Sequence, residues 1–540
     1  MKKLILTSVA SMAALGAMAQ SGFDANQLSQ SDLRGTARFM SMGGAFTALG
    51  GDMSSLNQNP AGIGLYRKSE VSLTVDFNMT GSKMTTNGGS FTQDKTHVYC
   101  NNFGYIGAVN LNGDTFRSFS WGASYSRVAS FDRTYSFGAV TNGQYYGPTI
   151  GTSLSNYIAN ISNGYSEDDL FDPKDYDYDP YEQGIKWLSI LAYNSYMINP
   201  GAGKNSYVGL WQNGTSGNAG GSVRERGSID EYSIDFGGNI LDIVYWGLGF
   251  GITDIRFTQE ANYDEELTDA RVPNAAADGT QNGNAYFNLS NYKHVTGNGF
   301  NMKLGVIVKP IQELRLGFAI HTPTWYSLQQ SFDASTNYSY STGYENRSEY
   351  TDYGYYEWKL RSPWKMMFGV AGVIGSRGIL SLDYQLDSYN SMHISDRGSY
   401  MNYDLENNEI KSNFKPQSTI RVGGELRVTP EFSLRAGYVY QTSGVEKQVY
   451  EGTTKVDLLG AYLSNTNPAF TVDDKTQYVT LGAGYRYKAF YADLAYVNKQ
   501  RTSSYHAFTG YTDANNFIQA PRFDLKSTDN NIVVTLGVKF

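Results

Sequence analysis

Apolar and polar residues alternate with a period of two in five stretches of this 540-residue chain. From position 420, for example, Ile420 and Val422 alternate with Arg421 and Gly423. Successive side chains of a β-strand point to opposite faces, so each stretch predicts a strand with one apolar and one polar face. Such strands suit a barrel in a membrane, but the strands of a soluble sandwich alternate as well.

The lengths of the connections distinguish these two folds. The sequence predicts fourteen strands, near 69–79, 97–110, 117–128, 231–240, 244–258, 297–309, 313–334, 350–374, 378–389, 416–428, 432–443, 475–487, 489–500 and 529–540. Short turns at 111–116, 241–243, 310–312, 375–377, 429–431 and 488 alternate with long loops at 80–96, 129–230, 259–296, 335–349, 390–415, 444–474 and 501–528. Short turns at one end and long loops at the other are typical of bacterial outer-membrane barrels. We therefore predict an all-β fold, a 14-stranded antiparallel transmembrane β-barrel, with a long extracellular loop at 129–230.

Composition excludes several other classes of protein. Charged residues are 17% of the chain, against about 25% in typical soluble domains. The net charge is −8, whereas nucleic-acid-binding proteins usually carry an excess of basic residues, so no nucleic-acid partner is expected. Cys100 is the single cysteine, which excludes an intramolecular disulfide and a zinc finger.

The two ends of the chain carry features typical of exported barrels. Lys2 and Lys3 precede an apolar run over 4–15 and an A-x-A site ending at Ala19, which predicts a signal peptide over 1–19 that is cleaved near Ala19. The terminal Phe540 resembles the signal by which the barrel insertion machinery recognises its clients. The predicted location is the Gram-negative outer membrane, where lipid and lipopolysaccharide would surround a monomer.

Residues 20–68 precede the barrel domain, 69–540, and do not alternate. Phe39, Met42 and Phe46 recur at helical spacing among many small residues. A barrel of fourteen strands has a lumen that must be filled or left as a channel. The segment is therefore predicted to be a small helical plug in the lumen, with a disordered periplasmic tail as the alternative.

A known family shares these N-terminal motifs. The segment 43–48, Asp52 and the turn Asn59-Pro60-Ala61-Gly62 resemble the N-terminal hatch of the FadL-type outer-membrane transporters, which take up long-chain fatty acids and toluene. Segments 420–440 and 480–487 are similar to the barrel of that family. The resemblance implies a 14-stranded barrel with an N-terminal plug, and passage of hydrophobic compounds through the wall.

The predicted function is passive uptake of hydrophobic small molecules such as long-chain fatty acids, by plug movement and lateral exit. No energy-coupling box follows Gln20, which favours passive transport. An outer-membrane ligand-binding receptor, for haemin for example, is the alternative, and a barrel hydrolase is a third. GxSxG and HExxH motifs are absent and 201–205 departs from a phosphate-binding loop, so we expect no enzyme, catalytic residue, cofactor or metal.

Two sets of residues are predicted to control passage. Asn59, Pro60, Ala61 and Gly62 form a turn with a fixed φ at proline, which would hold the plug against the first strand. Glycine inside a strand marks a place where pairing is interrupted, so a lateral gap is predicted at three glycines of the second and third strands. These are Gly104, Gly107 and Gly122.

Polar residues on the inward face form a third set. Arg421, Arg427, Arg435 and His321 alternate with apolar residues and should face the lumen, because charge facing hydrocarbon is costly. They either hold the plug in place or dock a substrate carboxylate, for which the arginine fork is suited.

The 129–230 loop contains candidates for ligand capture. Helices are predicted near 153–161 and 183–198, with apolar side chains on one face. These side chains, which form either a binding surface or the core of a self-packed loop, are Leu154, Ile158, Trp187, Leu188 and Leu191. Acidic residues over 167–182 are either a solvated loop or Ca²⁺ ligands without EF-hand spacing.

Overall fold

Fourteen antiparallel strands close into a barrel in a computed structural model of the chain. The structure describes residues 21–111, 113–141, 144–174, 178–276, 279–375, 377–398, 402–452, 465–513 and 516–540. Each strand pairs with the next, and the last strand pairs with the first in a register that sets Glu70 opposite Lys539. The predicted fold class is confirmed. The predicted signal peptide lies outside the described residues.

The strands are numbered in chain order. They are β1 (Glu70–Thr86), β2 (Gly89–Asn110), β3 (Phe116–Ser130), β4 (Ser216–Ile240), β5 (Val244–Pro273), β6 (Thr280–Ile311), β7 (Leu314–His321 and Trp325–Tyr340), β8 (Gly354–Arg361 and Lys365–Ile374), β9 (Gly378–Ser388), β10 (Pro416–Arg427), β11 (Phe432–Gln441), β12 (Phe470–Tyr487), β13 (Phe490–His506) and β14 (Arg522–Lys539). β7 and β8 are interrupted at Pro323 and Pro363, each of which lacks the N–H that a ladder requires.

The two faces of the wall differ as the alternation predicts. On β1, Val71, Leu73 and Phe77 are exposed on the outer face, whereas Ser72 and Asp76 are buried on the inner face. Exposed apolar side chains continue around the barrel, and such a surface is stable only in hydrocarbon. The wall therefore carries an apolar belt on its outside.

Three of the predicted long loops are instead strand. β1 and β2 stay paired as far as Thr86 opposite Gly89, and β5 and β6 stay paired as far as Pro273 opposite Thr280. β7 likewise continues to Tyr340. Beyond the membrane both faces of a strand meet polar surroundings, so apolar alternation ends while backbone pairing continues. The loops placed at 80–96, 259–296 and 335–349 were wrong for this reason.

Residues 21–68 lie inside the barrel and form short helices. These are α1 (Gly22–Gln27), α2 (Ala37–Ser41) and the 3-10 helices Met53–Asn57 and Pro60–Leu65. Thr36 caps α2 through its hydroxyl, and Asp52 caps the first 3-10 helix. Phe39, Met42 and Phe46 are buried against the wall. We call residues 21–68 the plug.

The external end, which carries the long loops, is closed by further helices. They are α3 (Leu154–Ser162), α4 (Glu167–Leu170), the 3-10 helices Pro180–Glu182 and Tyr389–Ser391, α5 (Trp187–Asn194), α6 (Asp404–Asn413) and α7 (Lys447–Glu451). The described residues also form short strands at Arg133–Phe137, Ala139–Thr141, Gln144–Tyr146, Ile198–Pro200, Tyr207–Gly209, Tyr344–Tyr350, His393–Asp396, Tyr511–Asp513 and Asn516–Ile518. Among the described residues, no helix is long and apolar enough to cross a membrane.

Candidate functional site

The predicted gating turn fastens the plug to itself and to the wall. Asn59 caps the 3-10 helix Pro60–Leu65, because its side-chain oxygen accepts from the N–H of Ala61 at 3.0 Å. Its amide nitrogen donates to the carbonyl of Thr47 at 2.6 Å and lies 3.4 Å from the carbonyls of Val306 and Phe318. Pro60, Ala61 and Gly62 are fully or almost fully buried. The four predicted residues therefore lie together where the plug meets β6 and β7.

Glycines on the inner face of the wall seat the plug. Among those at which an added methyl group would collide with a plug atom are seven that lie on seven different strands. They are Gly247, Gly305, Gly317, Gly369, Gly423, Gly437 and Gly482. On β9, the side chain of Asp383 takes this place and accepts from the N–H of Thr47 at 2.7 Å. We call these seven glycines the glycine seat. The sequence analysis did not predict it, although glycine that recurs at inward positions of successive strands was the signal for it.

Ion pairs add to this attachment. Arg38 of the plug pairs with Glu425 on β10 at 3.0 Å, and Asp32 pairs with Lys499 on β13 at 2.6 Å. Burial opposes ionisation of Asp32, but Lys499 and neighbouring arginines outweigh it and lower the pKa of that carboxyl. The plug is therefore held by charge as well as by close packing.

The predicted lumen residues have four different surroundings. Arg435 is buried between Glu425 and Asp493, at 2.6 and 2.5 Å. A ring nitrogen of His321 lies 2.9 Å from the carbonyl of Gln58 in the plug. Arg421 donates to Gln385 at 2.7 Å and lines a cavity described below. Arg427 is exposed at the end of β10 and does not line that cavity.

Strand pairing is interrupted between β2 and β3. The ladder runs from Asn110 opposite Ser118 to Asn102 opposite Ser126, and it ends there. β2 has a bulge at Asn101, and β3 has one at Val128 before its continuation, Arg133–Phe137, which contacts β1 as well as β2. We call the gap between Cys100 and Val128 the lateral opening.

The plug takes the place of the missing strand partner at this opening. The N–H of Asp32 donates to the carbonyl of Val128 at 3.0 Å, and the N–H of Ser130 lies 3.4 Å from the Asp32 carboxylate. Exposed Val98 and Phe103 flank Cys100 on the outer face of β2. The opening therefore lies within the apolar belt and is closed from inside by one plug residue.

Gly104, Gly107 and Gly122 do not form this gap. Gly104 pairs with Ser124, and Gly107 pairs with Trp121 in a continuous ladder. The interruption lies further along the same two strands, at Asn101 and Val128, because a bulge needs no glycine. The interruption arises from two bulged residues and from the hydrogen bonds that the plug offers in their place.

Tyr99 fills the inner side of the lateral opening. The guanidinium groups of Arg34 and Arg127 each lie 5.0 Å from the centre of its ring, and its hydroxyl donates to Asp132 at 2.5 Å. The arrangement joins the plug, β2 and β3 through one aromatic side chain. A shift of the plug that moves Arg34 would therefore release one of these contacts.

Two cavities meet the plug near the opening. One, of about 140 Å³, is lined by plug residues 29–34 and by the wall from Arg127 and Val128 on β3 to Arg421 on β10; we call it the transverse cavity. The other, of about 100 Å³, lies between α1, Asp132 and Tyr135. Both contain many hydrogen-bonding side chains.

An apolar layer lies beside these cavities. It joins Phe23 and Leu28 of the plug to Ala129 and Phe131, which follow the bulge of β3. On the other sides it includes wall and external-loop residues, among them Ile229, Phe257, Leu328, Trp358, Tyr389, Ile410 and Phe414. This cluster of apolar side chains, which we call the apolar layer, therefore reaches the lateral opening.

The five predicted capture residues are buried together. Leu154 and Ile158 on α3 pack with Trp187, Leu188 and Leu191 on α5 in a core that also includes wall residues. They form no exposed patch, so their role in capture stays a prediction. We call this cluster the external core. The acidic stretch nearby contains no group of three potential metal ligands among the described residues.

Comparisons with known proteins find similarity at the level of fold. No protein-family profile matches the chain, and no curated protein matches it. A FadL homologue from Pseudomonas aeruginosa is 14% identical with a TM-score of 0.46, over 94% of this chain and 99% of that chain. The P. putida toluene transporter TodX is 14% identical with a TM-score of 0.47 over the same shares. The Ralstonia pickettii toluene transporter TbuX is 12% identical with a TM-score of 0.41, also over 94% and 99%.

Proposed function

We propose that this protein is an outer-membrane channel for passive uptake of hydrophobic small molecules, such as long-chain fatty acids. The plug shifts, and the ligand leaves sideways through the lateral opening. One observation carries the proposal: pairing between β2 and β3 ends inside the apolar belt, where the carbonyl of Val128 accepts from the N–H of the plug residue Asp32.

The interior supports a sideways path. The seven glycines and Asp383 hold the plug against most of the wall, so a straight route would require many contacts to break together. The apolar layer instead reaches Ala129 and Phe131 beside the opening. An apolar molecule in that layer is within reach of hydrocarbon once Asp32 and Tyr99 move.

Uptake by cells tests the proposal directly. A Gram-negative host that lacks its own hydrophobic-compound channels would express the full chain, and initial uptake of oleate, toluene and haemin would be measured in parallel. We expect faster uptake of oleate, of toluene or of both. Uptake of haemin alone would favour the receptor alternative, and uptake of none would refute the proposal.

Closing the opening tests the route. Val128→Cys places a second thiol across the gap from the natural Cys100, which is partly exposed. A cleavable bis-thiol reagent that joins the two strands should stop uptake, and cleavage should restore it. The unchanged protein has one cysteine and is the matched control. Full uptake with the crosslink in place would show that ligands leave by another path.

A further inference from the structure

Two exposed cations lie on the outer surface of the wall, where β8 leaves the apolar belt. Arg361 pairs with Trp325 of β7 in the ladder, and Lys359 is the next outward residue along β8 toward the external end. Both side chains are exposed, as is that of Trp325. Tryptophan is enriched where a membrane meets water, so the ladder sets these cations at the level of the outer-leaflet head groups.

A helix brings a third cation to the same place. On its other side, Arg361 pairs with His393, the first residue of a short strand. Asn407 on α6 accepts from the N–H of Ile394 at 2.8 Å and donates to its carbonyl at 2.9 Å, so α6 packs against that strand. Lys411, one turn further along α6, is exposed. Burial lowers the pKa of His393, and the charges of Arg361 and Lys411 lower it further, so both cations lie near this histidine.

No acidic side chain in the described part of the chain neutralises the three cations. Lys359, Arg361 and Lys411 have no carboxylate oxygen within 4.0 Å there. Lys359 donates to the carbonyl of Arg397 and Arg361 donates to the carbonyl of Ser391, at 3.3 Å each, and neither contact removes the positive charge. We call Lys359, Arg361 and Lys411 the basic patch.

Exposed cations on β4 and β5 are neutralised by neighbouring acids. Arg256 lies 3.2 Å from Asp254, and Arg224 and Arg226 both pair with Glu260. The protein as a whole carries a net charge of −8. The basic patch is therefore a local reversal of charge, and a bound anion would relieve the repulsion among its three like charges.

The surroundings of the basic patch suit a phosphorylated sugar that carries acyl chains. Outward residues two apart on a strand are about 7 Å apart, so Lys359 and Arg361 can contact different oxygens of one head group. Ser327 and Ser395 flank Lys359 in the ladder and supply hydroxyl groups to a sugar. On the membrane side of Arg361, exposed apolar residues continue the outer face of β8. They are Trp364, Met366 and Phe368.

We propose that the basic patch binds a phosphate group of lipid A, the phosphorylated glycolipid of the outer leaflet. The sugar lies over Ser327 and Ser395, and the acyl chains lie along Trp364, Met366 and Phe368. The site is on the outside of the wall at β8, away from the lateral opening between β2 and β3. It therefore binds a lipid of the surrounding membrane and goes beyond the proposed uptake function.

Three lipid probes test the proposal on the unchanged protein. The purified barrel in detergent would be titrated with lipid A, dephosphorylated lipid A or phosphatidylglycerol, and native mass spectrometry would measure the fraction with bound lipid. EDTA is included so that divalent cations do not bridge phosphate to the acidic side chains of the protein. A basic residue near an anionic membrane surface contributes roughly fivefold in affinity, so lipid A should bind about a hundredfold more tightly than its dephosphorylated form.

Two results with these probes would overturn the proposal. Equal affinity for lipid A and dephosphorylated lipid A would show that no phosphate is bound. Equal affinity for lipid A and phosphatidylglycerol would show a general anionic-lipid surface and would refute the assignment to lipid A.

Substitutions locate the phosphate on the wall. Replacing Lys359, Arg361 and Lys411 together with serine should weaken lipid A binding about a hundredfold and leave binding of the dephosphorylated form unchanged. Lys359→Ser alone should weaken it roughly fivefold, and it carries the test if the triple variant does not fold. Arg256→Ser removes an arginine that is 74% exposed but paired with Asp254, and this control should bind like the unchanged protein. Equal lipid A affinity in the triple variant and the Arg256→Ser control would overturn the proposal.

Discussion

Replacing Gly369 with alanine tests whether the plug is seated by close contact with the wall. A methyl group there would lie 2.6 Å from Oδ1 of Asp383, which itself binds the plug, and 2.8 Å from both the backbone nitrogen of Ala48 and Cβ of Thr47. Carbon atoms in favourable contact are about 3.5 Å apart or more, so plug or wall must move by roughly 0.7 Å. Such overpacking typically costs about 1–3 kcal/mol. At Gly369 the wall strands pair with one another and not with the plug, so we expect weaker seating in an intact barrel.

Limited trypsin digestion measures the seating. A cost of about 1–3 kcal/mol raises the unseated population about fivefold to 150-fold, and cleavage after the part-buried Arg38 should accelerate in proportion. Gly372→Ala, on the same strand, is the matched control, because a methyl group added at Gly372 would have no neighbouring atom within 4 Å. Equal cleavage in the two variants, both showing heat-modifiable gel migration, would refute the seating argument.

Three further predictions concern the turn, the opening and the external end. Asn59→Ala with Pro60→Ala should leave the barrel folded but lower the uptake of hydrophobic ligands, because the proposed path depends on the position of the plug. Unchanged uptake would show that the turn does not control passage. Asp32→Ala should speed thiol labelling of Cys100 about a hundredfold or more, since removing one partner of a buried pair costs about 3–5 kcal/mol. Asp242→Ala, which removes a half-exposed carboxylate, is the control and should leave labelling unchanged. Burial raises the pKa of Glu406 on α6 to about 7, so the stability of the external end should fall as pH rises from about 4.5 to about 7. Glu406→Gln should remove this dependence in thermal melts, and an unchanged profile would contradict it.

The barrel was predictable because the bilayer imposes a repeating constraint. Each membrane-spanning strand must place apolar residues outward, as Val71 and Leu73 do, while the inner face stays polar. The same reasoning failed outside the bilayer, where β5 and β6 continue without that constraint. The number of strands could therefore be predicted from the sequence, whereas their lengths could not.

The site was predictable only in its parts. The turn at Asn59 was found from local chemistry, and its place beside β6 and β7 required the fold. Inward positions of arginines followed from alternation, but their separate roles did not. Arg435 bonds to the carboxylates of Glu425 and Asp493, whereas Arg421 bonds to the amide of Gln385, and that is a matter of register between residues far apart in the chain.

The two closures of the barrel make the lateral opening the weakest boundary of its interior. At the external end, Trp187, Leu191 and their neighbours form a core that would lose apolar contacts if it opened. Inside, the plug is held by the glycine seat and by Asp383. At the opening, the plug contacts the backbone of β3 through the N–H and the carboxylate of Asp32, which also pairs with Lys499, and Tyr99 lies between two arginines. A small plug displacement breaks these few contacts long before it clears the lumen. These differences in attachment support the proposed sideways release rather than a straight channel.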